Sequence, residues 1–119
     1  MKILQLIIKQ NFFDEIIAGT KPQEFREIRP NTMRKYCQVD SDGFVVEVDG
    51  IIQPREYDAI QFYVGYNPDR NSALVEIKEA EVSLLVDDDD NFVTYLHDGE
   101  EYTAAQIAYS LGRVIEKNV

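Results

Sequence analysis

The stretch Gly19-Thr20-Lys21-Pro22-Gln23-Glu24-Phe25-Arg26-Glu27-Ile28-Arg29 decides how this chain is read. It opens on a glycine able to take the left-handed conformation that ends a helix, then alternates charge with bulk as a strand does. In a strand, the period of two sets Glu24 and Arg26 on one face. A carboxylate between the cations Lys21 and Arg26 suits a polar ligand or proton transfer. On spacing alone, an ordinary strand with a salt-bridged solvent face is the plainer reading.

Upstream, Lys2 to Lys9 is rich in Ile and Leu and reads as a largely buried strand. A helix over 11–18 follows, with Asn11 as its N-cap and Asp14-Glu15 in its acid-favouring first turn. Phe12, Phe13, Ile16 and Ile17 then make one apolar face. A helix this short is marginal alone, so that face must dock on a barrel.

Downstream, Gln23 to Ile28 is the second strand. Pro30 ends it, and Asn31 to Tyr36 reads as a helical turn capped by Asn31. Asp40-Ser41-Asp42-Gly43 and Asp49-Gly50 are turn signals on either side of a short strand, Phe44 to Val48. Asp58 to Tyr66 and Ala73 to Val86 form a large hairpin around Asn67–Asn71. Asp87 to Asp90 is an acidic loop, Phe92 to Leu96 a short strand, and His97 to Glu100 a turn. The segment 103–109 has helical propensity, so the last element is ambiguous between helix and strand. No internal repeat and no low-complexity linker is visible. About seven strands with one or two short helices indicate an α+β domain, a small mixed barrel.

The chain has 119 residues, room for one domain over 1–119. Hydrophobic content of 45% and charged content of 29% are those of a globular protein. No apolar run approaches the roughly 20 residues of a membrane helix, and the N-terminal apolar run lacks the flanks and cleavage site of a signal peptide. Cys37 is the only cysteine, which excludes an internal disulfide and a thiolate metal cluster. The expected compartment is the cytoplasm. The net charge of −10 argues against indiscriminate binding to a nucleic-acid backbone, yet residues 1–36 carry seven basic and four acidic side chains. Lys9, Lys21, Arg26, Arg29, Arg34 and Lys35 can therefore build a local positive patch on an acidic body.

The order of first strand, Phe12-Phe13-Asp14-Glu15-Ile16-Ile17-Ala18 and the Gly-x-Lys-x-x-Glu-x-Arg pattern at 19–26 resembles the ASCH domain of the PUA-like β-barrel superfamily. Gln61-Phe62-Tyr63-Val64-Gly65-Tyr66, Val75-Glu76-Ile77-Lys78 and Tyr109-Ser110-Leu111-Gly112-Arg113-Val114-Ile115 are similar to stretches of small single-domain bacterial and phage members. The resemblance implies a PUA-like barrel, makes Tyr109 to Ile115 a strand, and makes 37–56 a local insertion. It also implies a cleft between the 11–18 helix and the barrel, lined by Lys9, Lys21, Glu24, Arg26 and Tyr66. In members that hydrolyse small amides such as acetylated cytidine, the lysine matching Lys21 is catalytic and works with a threonine and a glutamate. Glu24 occupies the threonine position, three after the lysine, and Thr20 lies on the other side of Lys21. The family's glutamate has no clear match, with Glu76 and the acidic loop as candidates.

These residues point first to binding of RNA or a nucleotide-like small ligand, with Arg26 and Arg29 offering bidentate donors to a phosphate and Tyr63 or Tyr66 a stacking surface. The rivals are a small amidohydrolase in which Lys21 and Glu24 are catalytic, and a protein-interaction module using the acidic surface. His97 reads as an exposed turn residue and Cys37 as a small buried hydrophobe. Asp87–Asp90 lacks the glycine and glutamate of a calcium loop. No phosphate-binding glycine loop, metalloprotease motif or nucleophile elbow is present. No metal or cofactor is expected.

Overall fold

The computed structural model describes all residues, Met1–Val119. In chain order the elements are β1 (Ile3–Ile8), α1 (Gln10–Ala18), β2 (Gln23–Ile28), α2 (Met33–Tyr36), β3 (Glu47–Val48), β4 (Ile51–Ile52), β5 (Ala59–Val64), β6 (Ser72–Leu84), β7 (Thr94–His97), β8 (Glu100–Thr103) and β9 (Ala105–Asn118). This is the strand-dominated α+β class with two short helices. The main sheet has the order β1-β5-β6-β9-β2, and β3-β4 and β7-β8 are separate hairpins. No ladder joins β1 to β2, so the sheet is open where a closed or nearly closed barrel was expected. Residues 105–118 form one long strand, which resolves the ambiguous segment against a helix.

The chain divides into two compact units. The first comprises Met1–Glu24, Glu56–Glu79 and Tyr109–Val119, and the second Phe25–Arg55 and Ala80–Ala108. In the first, β5 is central, with β1 parallel on one side and β6 antiparallel on the other. Alternate β1 residues Leu4, Leu6 and Ile8 are buried, as period two requires, and meet Ile60 and Phe62 of β5. The helix α1 adds Phe13 and Ile16 to this core and packs against β5. Register is set at Asp58. Its N–H donates to the Lys2 carbonyl (2.8 Å), its carboxylate accepts from the Lys2 N–H (2.7 Å), and its carbonyl accepts from the Ile77 N–H (3.0 Å).

Helix boundaries differ from expectation at the start. α1 begins at Gln10 with Lys9 at the N-cap position and no side-chain cap, so Asn11 lies inside the helix and Asp14-Glu15 fall beyond its first turn. The reason is local: the Phe13 N–H closes the first turn on the Lys9 carbonyl, and Gln10 donates to Asp14 one turn on (2.8 Å). α2 likewise starts after Thr32, not Asn31. The C-terminal stop of α1 is as expected. Gly19 is left-handed (φ 79°), and the Thr20 N–H returns to the Glu15 carbonyl.

The second unit contains a repeat that residue identities conceal. Asp40 accepts from the N–H groups of Asp42 and Phe44, and Asp87 accepts from those of Asp89 and Asn91. Left-handed residues occupy the matching places, Gly43 and Asp90. Val46 donates to the Gln38 carbonyl and Gln53 to Val46, just as Val93 donates to Leu85 and Ala104 to Val93. Each copy then carries a hairpin turning on Asp-Gly, Asp49-Gly50 or Asp98-Gly99, with both turn residues at positive φ, the conformation that suits the strand twist. Residues 38–53 and 85–104 are thus two copies of one module, correcting the reading of a chain without repeats. Most of the shared hydrogen bonds join peptide groups, so apart from the two aspartates and the Asp-Gly turns the side chains were free to diverge.

Because Asp40 and Asp87 do the same work, Asp40→Ala and Asp87→Ala should each lower stability, by similar amounts of about 1–2 kcal/mol. Urea unfolding checks this, and a loss confined to one of the two would show the copies to be unequal.

Candidate ligand-binding site

Lys21 and Glu24 meet in the first unit. The αL stop at Gly19 reverses the chain, and the Lys21 N–H bonds back to the Glu15 carbonyl (3.2 Å), fixing where its side chain starts. The Pro22 carbonyl accepts from the Leu111 N–H (2.9 Å) and so begins the β2–β9 pairing. β2 then buries Glu24, whose side chain keeps only 9% exposure. A carboxylate this deep needs a cation, and Lys21 Nζ lies 3.7 Å from Glu24 Oε1 with its own side chain 20% exposed. The amine also stands 5.4 Å from the centroid of the Phe12 ring, within cation–π range. The pair is therefore a screened cation held between a carboxylate and an aromatic face.

The hydroxyl nearest this pair in sequence is engaged elsewhere: Thr20 Oγ1 donates to the Glu15 carbonyl (3.3 Å). Glu76 does not join the pair on the buried face. It follows core-facing Val75 on β6 and packs on Gly112, where a Cβ would run into the Glu76 carboxylate. The acidic loop belongs to the second unit, and Asp87 there organises its own turn.

The other expected site residues are distributed. Lys9 is exposed at the start of α1. Tyr66 follows β5 and is 83% exposed. Arg26, half-buried, and Arg29 belong to the second unit, where Arg29 pairs with Glu27 (2.6 Å) and lays its guanidinium over Tyr95 (4.3 Å to the centroid). Tyr63 is covered by its own arginine: Arg70 lies 3.9 Å above the ring and donates to the Gly65 carbonyl (3.0 Å). The rings that stack are Tyr95 and Tyr102, with centroids 5.9 Å apart, a pair the sequence reading overlooked. The signal was present, since each lies three residues from the Asp98-Gly99 turn and a two-residue hairpin makes them cross-strand partners. The hydrogen bond from Tyr102 to Glu100 raises the phenol's pKa and keeps it neutral. His97 lies in β7, 3.4 Å from Asp98 and edge-on to Tyr102.

No group of three or more His, Cys, Asp or Glu side chains is placed to hold a metal ion, and no helix is long and apolar enough to cross a membrane. Comparisons of this chain with protein-family models, with curated proteins and with solved structures found no match.

Two outcomes follow. Lys21 is a cation partner of a largely buried carboxylate, so Lys21→Met should destabilise the fold by about 1–3 kcal/mol, and adding Glu24→Leu should recover part of that loss; a double-mutant cycle in urea measures the coupling. Burial pushes the Cys37 thiol above its usual range. Its folded pKa exceeds the unfolded one, so its contribution is complete below about pH 8.5 and is lost as pH rises toward the folded value. Cys37→Ala should show a shallower alkaline loss of stability than the parent chain in matched thermal melts.

Proposed function

We propose that this chain is a small ASCH-type protein with a PUA-like fold that binds RNA or a nucleotide-like ligand through the Lys21–Glu24–Phe12 site. The observation that carries this reading is the Lys21 amine, partly exposed and held between the Glu24 carboxylate and the Phe12 ring. That arrangement offers a planar, hydrogen-bonding ligand both an aromatic edge and a positioned charge. The motif itself runs from the helix stop at Gly19 into the start of β2, and the resemblance in its residues supports this reading. Binding is favoured over hydrolysis because the place of the family's threonine is taken by a carboxylate that is itself paired with the lysine. The nearby hydroxyl of Thr20 is turned to a helix carbonyl. A chain carrying −10 overall must draw any affinity for anions from such local charge, so binding is weak and restricted to short single strands or mononucleotides.

Lys21→Ala should weaken binding of a mononucleotide or short oligoribonucleotide about tenfold, the scale of one charge-assisted hydrogen bond. Added salt should weaken it further. Isothermal titration measures both. With acetylated cytidine as substrate no acetate should be released. Lys21-dependent release at enzymatic rates would instead assign an amidohydrolase, with Glu24 as the general base in place of a hydroxyl.

A further inference from the structure

The second unit contains a pocket of about 260 Å³ lined from three directions. Ile28, Arg29 and Met33 come from β2 and the turn into α2, Glu47 and Ile52 from the first repeat module, and Tyr95, Tyr102 and Thr103 from the second. The two modules line the pocket with different residues of equivalent hairpins. Glu47 pairs with Ile52 in the first, whereas the residues matching Tyr95 and Tyr102 there, Val48 and Ile51, pair on the other side of the pleat and are exposed. One module thus supplies a carboxylate and the other a pair of stacked rings.

We propose that this pocket is a binding site for an uncharged nitrogen heterocycle of nucleobase size. The volume, just under the usual range for small-molecule sites, suits a single or fused ring. Arg29, Tyr95 and Tyr102 already form a column of flat groups, with the guanidinium 4.3 Å from the first ring centroid and the two rings inclined by 23°. A planar ligand adds to that column, because bases stack on tyrosine rings and on guanidinium planes alike. Recognition of its edge falls to the Glu47 carboxylate as acceptor and the Thr103 hydroxyl as donor, both in the lining, a complementary pair for a ring bearing both acceptor and donor nitrogens. The charge of the ligand follows from the surroundings. The second unit, 25–55 with 80–108, carries thirteen acidic and five basic side chains, so a phosphate brought here meets net repulsion, and Arg29 is already paired with Glu27. This site is separate from the Lys21 site and stands without it.

The test uses the full chain and chemical-shift mapping by NMR with adenine, uracil, adenosine 5′-monophosphate and cyclohexanol. Adenine or uracil should shift the resonances of Met33, Thr103 and Ala105, without dependence on salt, while the monophosphate binds these residues about tenfold more weakly. Tyr95→Leu, which keeps bulk and removes the ring, should weaken binding of the base about tenfold. Ala105→Leu, which fills the pocket, should abolish it. Should Ala105→Leu fail to fold by circular dichroism, Tyr95→Leu alone decides. The proposal is overturned if neither base moves these resonances at its solubility limit, if cyclohexanol binds as well as adenine, or if Tyr95→Leu leaves affinity unchanged. Shifts confined to Phe12 and Thr20 would support the Lys21 reading and overturn this one.

Discussion

Asp58 is the residue on which the arrangement of the first unit depends. A parallel pair of strands cannot be joined by a tight turn, so nothing local aligns β1 with β5. Asp58 supplies the missing alignment by gripping Lys2 at both its N–H and its carbonyl, one step before the first paired residues Ile3 and Ala59. Its carbonyl then takes the Ile77 N–H and carries the same alignment to β6. A slip of one residue would exchange Leu4 and Leu6 for Ile3 and Gln5 on the buried face. Hydrophobic pattern and side-chain anchor agree, and together they leave one register.

Much of this was legible in the sequence because it is governed locally. β2 has the bounds its alternation indicated, Gln23 to Ile28, and Gly19 ends α1 in the conformation that only a glycine takes without strain. The Asp-Gly hairpins formed where the dipeptides stood. What escaped was decided by distant partners or by competing local bonds. Openness of the main sheet depends on whether its edges find each other, and no stretch of residues encodes that. Asn11 is as good a cap as any by type, yet the helix starts one residue before it, with Gln10 bonding to Asp14.

The candidate sites divide the same way. Lys21 and Glu24 are three residues apart just past a helix stop, and their meeting follows from the short chain between them. Arg29 reads as a phosphate ligand from its type and place alone. Its partners in the structure, Glu27 and the Tyr95 ring, come from the same strand end and from a distant hairpin, and the second of these could not be read from the local sequence. The repeated modules were hidden for a further reason. Their likeness lies mainly in which peptide groups bond to one another, and outside Asp40 and Asp87 and the two Asp-Gly turns, matched pairs such as Gly43 and Asp90, or Val48 and Tyr95, carry little of it in residue type.

The two modules differ chiefly in the reach of their hairpins, which run from 47 to 52 in one and from 94 to 103 in the other. The longer has two additional residues in each arm. A pleated ribbon can grow only in such steps if its side chains are to keep their faces, since an odd increment would turn every later residue over. Two extra residues in each arm therefore extend a wall of the second unit without disturbing its base, where Gln53 and Ala104 make matching bonds. The hairpin tips are in this sense adjustable parts. Their length can drift through evolution or be set by engineering, two residues per arm at a time, while the turns at Asp40 and Asp87 remain as they are.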